Sequence, residues 1–202
     1  MISGRGSNLC AILQAIADKT LDADVKMVIS NSSDAAGLKY ARNAGVPTQV
    51  IHAPAKEFEQ QAQNIIDTVV PRLVVLAGFM KILSAQFVDH YRERLINIHP
   101  ALLPAFPGLH THRRAIEAGV GEHGASVHMV IPAVDAGPII AQVKLNVLPC
   151  DDEQTLANRV LIQEHKLYPK CLQWFAQNRI RVQQHAAFLD DQPLPIVYSE
   201  QL

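Results

Sequence analysis

The sequence predicts an α/β fold: an open, mostly parallel twisted sheet with helices on both faces and an antiparallel carboxyl-terminal strand pair. Short apolar, β-rich runs alternate with longer helical patterns, the arrangement of parallel strands joined by crossover helices. Leu73-Val74-Val75-Leu76-Ala77 is a continuous apolar run between Pro71 and Gly78, as expected of a strand buried on both faces. With 202 residues, 49% hydrophobic and 18% charged, the chain has apolar material for one sizeable core. No repeat, low-complexity tract or Ser/Gly-rich linker divides it, so residues 1–202 are read as a single domain.

Taken in order, the pattern Leu9 to Ala17 predicts a helix behind the turn Ser3-Gly4-Arg5-Gly6-Ser7-Asn8. Val25 to Ser30 reads as a strand, Ala35 to Ala44 as a helix stopped by Gly45, Thr48 to Ile51 as a short strand and Glu57 to Val70 as a helix. The run at Leu73 and the segment Leu95-Ile96-Asn97-Ile98 supply two further strands. Ala125 to Ile131 and Ile139 to Val147 are strands whose short connection, Asp135-Ala136-Gly137-Pro138, makes them antiparallel. Asp151 or Asp152 caps a long helix running to about Gln177, with Glu153 favourable at its positive end. The tail containing Pro193 and Pro195 is expected to be irregular.

Lys and Arg total 18 against 19 Asp and Glu, so no net field recruits a polyanion or a membrane surface. No apolar stretch approaches the roughly 20 residues of a membrane span, and the amino terminus lacks a basic region followed by an apolar one. Cys10, Cys150 and Cys171 are odd in number and scattered, which suits a reducing cytoplasm better than a disulfide framework.

Four features could carry chemistry. The turn at Gly6-Ser7-Asn8 leaves free amides at a helix start, where one phosphate could sit with Arg5 nearby; Gly, Ser and Asn are equally ordinary turn and cap residues. No Gly-Lys-Ser/Thr follows, and Leu9 stands where a dinucleotide fingerprint needs its third glycine. Asn97 and His99 alternate with Ile96 and Ile98, so a strand points both polar side chains to one face, just before Pro100. An amide donor beside an imidazolium suits a developing oxyanion, and hence acyl chemistry; a hydrogen-bonded pair ending a strand is the plainer reading. Asp135 could raise and orient the imidazole if its turn folds over His99, or could simply form the turn. Leu102 to His112, rich in Pro and Gly, has the length and composition of an active-site lid. Five of the nine histidines, His99, His110, His112, His123 and His128, also raise a weaker metal-site alternative, without cysteine partners or a His-Glu-x-x-His helix.

Together, Ile2-Ser3-Gly4-x-Gly6-Ser7-Asn8, Leu76-Ala77-Gly78-Phe79-Met80, Asn97-Ile98-His99-Pro100-Ala101-Leu102-Leu103-Pro104, Pro107-Gly108-Leu109-His110-Thr111-His112, His123-Gly124-Ala125-Ser126-Val127-His128 and Asp135-Ala136-Gly137-Pro138-Ile139 resemble, in order and spacing and over nearly the whole chain, the folate-dependent formyltransferase family, in particular its glycinamide ribonucleotide transformylases. The resemblance implies a Rossmann-like formyltransferase fold and transfer of a formyl group from 10-formyltetrahydrofolate, as co-substrate, to the amine of glycinamide ribonucleotide, without a metal. It implies catalysis by Asn97, His99 and Asp135. Gly6, Ser7 and Asn8 would hold the ribonucleotide phosphate and Glu164 its sugar. Met80, Lys81, Ile82 and Leu83 would line the folate site with Leu76, Leu95, Val130 and Asn97, and Lys56 is the nearest candidate for the folate's glutamate tail. The implied partners are these two small molecules, with no nucleic acid or membrane, for a cytoplasmic monomer or homodimer.

A formyltetrahydrofolate deformylase would carry an added amino-terminal domain and a methionyl-transfer-RNA formyltransferase an added RNA-binding domain, for which this length leaves no room. A non-catalytic binder of phosphorylated metabolites is the alternative of another class. The chain departs from the resemblance at Leu161, Ala125 and Ala105. The resemblance also implies a buried strand directly before Ser3, where only Met1 and Ile2 stand, so roughly five residues of a central strand, near the usual strand length, are expected to be missing and the fold to be less stable for it.

Overall fold

A computed structural model describes residues 1–183 and 186–199. The order is α1 (Ser7–Ala17), β1 (Val28–Ser30), α2 (Gly37–Asn43), β2 (Thr48–Val50), α3 (Ala55–Val69), β3 (Val74–Leu76), α4 (Ala85–His90), β4 (Leu95–His99), α5 (Thr111–Glu117), β5 (Glu122–Met129), β6 (Ile139–Asn146), α6 (Glu153–Ala176), β7 (Ile180–Gln183), β8 (Ala186–Leu189), β9 (Gln192–Pro193) and β10 (Ile196–Ser199). The main sheet runs β10-β6-β5-β4-β3, and β1-β2 forms a second, parallel pair. Within the main sheet β3 and β4 are parallel and so are β6 and β10, while β5 is antiparallel to both β4 and β6. The sheet is therefore mixed, as the short β5–β6 connection requires.

The strands at Leu73, Leu95, Ala125 and Ile139 form within a few residues of their expected bounds. Asp152 is the cap of α6: its carboxylate accepts from Thr155 N at 2.7 Å and Thr155 Oγ1 accepts from Asp152 N at 2.8 Å, a reciprocal pairing that satisfies two otherwise free amides. The tail corrects the expectation of irregular chain. Residues Ile180–Gln183, Ala186–Leu189 and Gln192–Pro193 form a small antiparallel sheet, and Ile196–Ser199 becomes an edge strand beside β6. Prolines are compatible with strands at edges and ends, and Pro193 lies in just such a two-residue strand.

Residues 1–3 join the two sheets. Ile2 pairs with Ser30 in parallel, Ile2 N donates to Ile29 O at 3.0 Å, and Ala77 N donates to Met1 O at 2.9 Å. Beneath them lies an apolar cavity of about 420 Å³, walled by Val28, Leu73, Val74, Ile66, Leu9 and Leu172 among others. One buried cluster lies between the main sheet and helices α1 and α6; the other centres on Phe58, Phe87, Tyr91 and Leu95. The Tyr168 hydroxyl of α6 reaches the carbonyls of Leu76 (2.9 Å) and Ile96 (3.2 Å), tying the long helix to neighbouring parallel strands. This fixes β3 and β4 so that their carboxyl ends open on the same edge, where ligands of α/β sheets collect.

Candidate functional site

The site starts from the alternation of β4. Ile96 and Ile98 enter the core, whereas Asn97 is half-buried and His99 is 5% exposed on the opposite face. The β5–β6 turn then folds back over that face. Asp135 adopts φ +50°, and its Oδ2 lies 3.3 Å from His99 Nδ1. Its Oδ1 lies 3.6 Å from Nε2 of His128, which in turn lies 3.2 Å from Asn97 Nδ2. Asn97 and His128 are register partners across β4 and β5, so this contact follows from strand pairing.

The tautomer of His99 follows from its neighbours. Its Nε2 is 2.9 Å from the Phe106 carbonyl, which can only accept, so Nε2 carries a hydrogen. Nδ1 is left as the nitrogen that exchanges a proton, next to the Asp135 carboxylate. Asp135 Oδ2 also accepts from Gly108 N at 2.8 Å, so both members of the pair hold the loop that follows β4. The start of that loop is fixed too: Ser126 Oγ donates to Ala101 O at 2.6 Å and accepts from Leu103 N at 3.0 Å, and Gln142 donates to Leu103 O at 2.9 Å. The loop expected over Leu102 to His112 is thus anchored at its base, and it ends at His110, because Thr111 opens α5. Ser126 lies in one of the motifs that carry the resemblance, whereas Gln142 has no signal in the sequence beyond its place on an alternating strand.

At the other end of the site, Gly6 takes φ +71° as the cap of α1, and no side chain caps the helix. A Cβ on Gly6 would lie 2.4 Å from the Gly37 Cα, so glycine is required by both conformation and space. Asn8, in the first turn, donates to Glu164 Oε2 of α6 at 2.7 Å. Burial pushes Glu164 up to about 7, against the opposing pull of Asn8 and Arg5. The structure therefore brings Gly6, Ser7, Asn8 and Glu164 together, with first-turn amides of α1 free to meet an anion.

The residues after β3 divide by exposure. Met80 (65%) and Ile82 (76%) present large apolar side chains to solvent, and Val130 is half-buried, its amide donating to Leu95 O at 2.9 Å. Leu76, Leu83 and Leu95 instead lie in the core beneath that surface, with Leu95 fully buried. Lys81 is half-buried over the Phe58 ring, 5.3 Å from its centroid. Lys56 lies within the first turn of α3 and is exposed, rather than in a segment preceding that helix.

The histidines do not converge on a metal: among the described residues no group of three or more His, Cys, Asp or Glu is placed to hold one. His112 and His123 stack edge to face at 5.2 Å, and burial lowers His123 to about 4. Among the described residues no helix is long and apolar enough to cross a membrane.

Comparison with known proteins identifies the family. The family model described as formyl transferase matches residues 1–172. The chain is 48% identical to the phosphoribosylglycinamide formyltransferase of Escherichia coli (strain K12) over 199 residues, 96% of this chain and 94% of that protein. A solved phosphoribosylglycinamide formyltransferase from Coxiella burnetii superposes with a TM-score of 0.93 at 46% identity, covering 98% of this chain and 96% of that one. A formyltetrahydrofolate deformylase from Pseudomonas syringae pv. tomato superposes with a TM-score of 0.87 at 26% identity, but this chain covers only 64% of it.

Proposed function

The chain belongs to the formyl transferase family, and from that premise we propose how its own residues carry the formyl transfer of purine biosynthesis, from 10-formyltetrahydrofolate to the amine of glycinamide ribonucleotide. The observation that supports this most is the meeting of Asn97, His99 and Asp135 on one face at the end of β4, with His99 Nδ1 3.3 Å from the carboxylate.

The reaction adds an uncharged amine to the formyl carbon, and negative charge develops on the formyl oxygen. Asn97 supplies a donor to that oxygen and protonated His99 sets its positive charge beside it, in a partly buried site where such interactions are stronger than in water. Asp135, whose Oδ2 lies 3.3 Å from Nδ1, holds the ring in place. Because Phe106 O occupies the Nε2 hydrogen, proton exchange runs through Nδ1, from the attacking amine towards the departing folate nitrogen by way of water. No metal takes part in this scheme.

Gly6, Ser7 and Asn8 hold the ribonucleotide phosphate at the amide end of α1, and Glu164 faces its sugar. Met80, Ile82 and Val130 form an apolar wall for the folate ring, with Lys81 beside it; Leu76, Leu83 and Leu95 support that wall from below, and Lys56 is left as a surface cation for the glutamate tail. Residues 1–202 act as one formyltransferase domain, monomeric or homodimeric, in the cytoplasm, where Cys10, Cys150 and Cys171 remain free thiols.

The test is an assay of folate turnover with glycinamide ribonucleotide, water or initiator transfer RNA as the acceptor. Consumption that depends on the ribonucleotide is expected. Equal consumption with and without it would make the chain a hydrolase and overturn the reading.

A further inference from the structure

His128 has no part in the scheme above, yet it is buried, 2% exposed, between Asn97 and Asp135. Its surroundings determine its hydrogens. Nδ1 lies 2.9 Å from the Met129 carbonyl, an obligate acceptor, so Nδ1 carries a hydrogen. In the neutral ring Nε2 then has a lone pair, and the group 3.2 Å away on Asn97 must be the amide nitrogen rather than the amide oxygen. The register of β5 against β4 supports this aim: His128 lies directly opposite Asn97 in an unbroken antiparallel pairing, so the two side chains share one face of the sheet. The Met129 carbonyl is itself confined, because a Cβ on Gly137 would lie 1.8 Å from its oxygen.

We propose that His128 is a positioning residue for formyl transfer: by donating from Nδ1 to Met129 O and accepting at Nε2, it holds the Asn97 carboxamide with its N–H end towards Asp135 and the reaction centre. This rests on Asn97 being a donor to the developing oxyanion. An amide is nearly symmetric in shape, and packing discriminates poorly between its two orientations, so a buried acceptor of fixed tautomer is what selects one. If Nε2 also carried a hydrogen, the amide oxygen would turn towards it and an acceptor would face the oxyanion. Among the described residues, the polar groups facing the ring are Met129 O on its own strand, Asn97 on β4 and Asp135 from the turn, with His99 beyond. Burial holds His128 below the ordinary imidazole value despite the opposing pull of Met129 O and Asp135.

Two measurements test this. In the first, nitrogen-15 NMR of the histidine-labelled protein near neutral pH, without substrates, should show His128 protonated at Nδ1 and bare at Nε2. A hydrogen on Nε2 overturns the proposal. In the second, single-turnover and steady-state rates are compared for His128→Asn, which keeps a group at the Nδ1 position but loses the Nε2 acceptor, and His128→Gln, which can offer an oxygen at the Nε2 position. His128→Asn should lower kcat by about tenfold to a hundredfold, within the cost of losing one oxyanion donor, with both KM values within about twofold. His128→Gln should recover most of that loss. In an Asn97→Ala background His128→Asn should cost less than about twofold more, because there is no longer a carboxamide to orient. Equal losses in both backgrounds, or equal loss in both His128 variants, would reduce His128 to a packing residue. Wild-type protein that shows the expected NMR tautomer but no formyl transfer would instead overturn the proposed function and leave the tautomer assignment standing.

Discussion

Asn8 donates a 2.7 Å hydrogen bond to Glu164 across 156 positions of sequence, and both side chains are buried. The contact joins the first turn of α1 to the middle of α6. A polar side chain from each end of the chain thereby reaches the place where the α1 amides are free. Burial of the carboxyl group with a single amide donor explains its raised pKa of about 7.

That shift sets a pH dependence of stability. Glu164 ordinarily titrates at 4.5 and does so at about 7 in the folded chain, so between these values the folded state holds the extra proton. Its contribution is fully present below about 4.5 and is lost as pH rises through about 7; the change is on the order of 3 kcal/mol. Thermal melts of the substrate-free protein should show this fall, and Glu164→Gln should flatten the profile over that window. An unchanged profile in the variant would remove Glu164 as its origin.

Removing the imidazole or the carboxylate charge should abolish most turnover without unfolding the chain. His99→Ala and Asp135→Asn are each expected to lower kcat on the order of a hundredfold to a thousandfold, with circular dichroism matching the parent. Wild-type turnover in either variant would exclude that residue from the chemistry.

Gly6→Ala meets two obstacles, a backbone at φ +71° and the Gly37 Cα 2.4 Å from the added carbon. A loss of roughly 2–4 kcal/mol is expected, together with a raised KM for the ribonucleotide as the α1 amides shift. Urea titration and steady-state kinetics measure the two effects, and a variant matching the parent in both would show that the turn tolerates the change.

The 420 Å³ apolar cavity between the sheets offers a way to add stability. Five apolar residues placed ahead of Met1 should extend the Met1–Ser3 bridge into it, and the melting temperature should rise by on the order of 5 °C, at roughly 2–4 °C per kcal/mol for a chain of this size. A Gly/Ser extension of equal length serves as the control. An equal rise in both, or none in either, would mean that the cavity is not filled in this way.

The sequence by itself determined the strand-helix alternation, the antiparallel β5–β6 pair, a helix cap at Asp151 or Asp152 and the common face of Asn97 and His99. Each rests on a local rule: hydrophobic period, turn length, capping chemistry or the two-residue repeat of a strand. Of the carboxyl-terminal strands, β10 escaped it because its partner β6 lies far away in sequence, while β7, β8 and β9 pair with their sequence neighbours in a segment whose prolines read as irregular chain. Tertiary structure alone decided that the Asp135 turn folds over His99, that Phe106 O occupies His99 Nε2, and that His128 faces Asn97 across the register. It also buried Leu76, Leu83 and Leu95 in the core and left Met80 and Ile82 exposed, since an apolar residue reads the same whether it meets the core or the surface. These relationships depend on how loops close and how strands align, and neither leaves a periodic trace in the residues that make them.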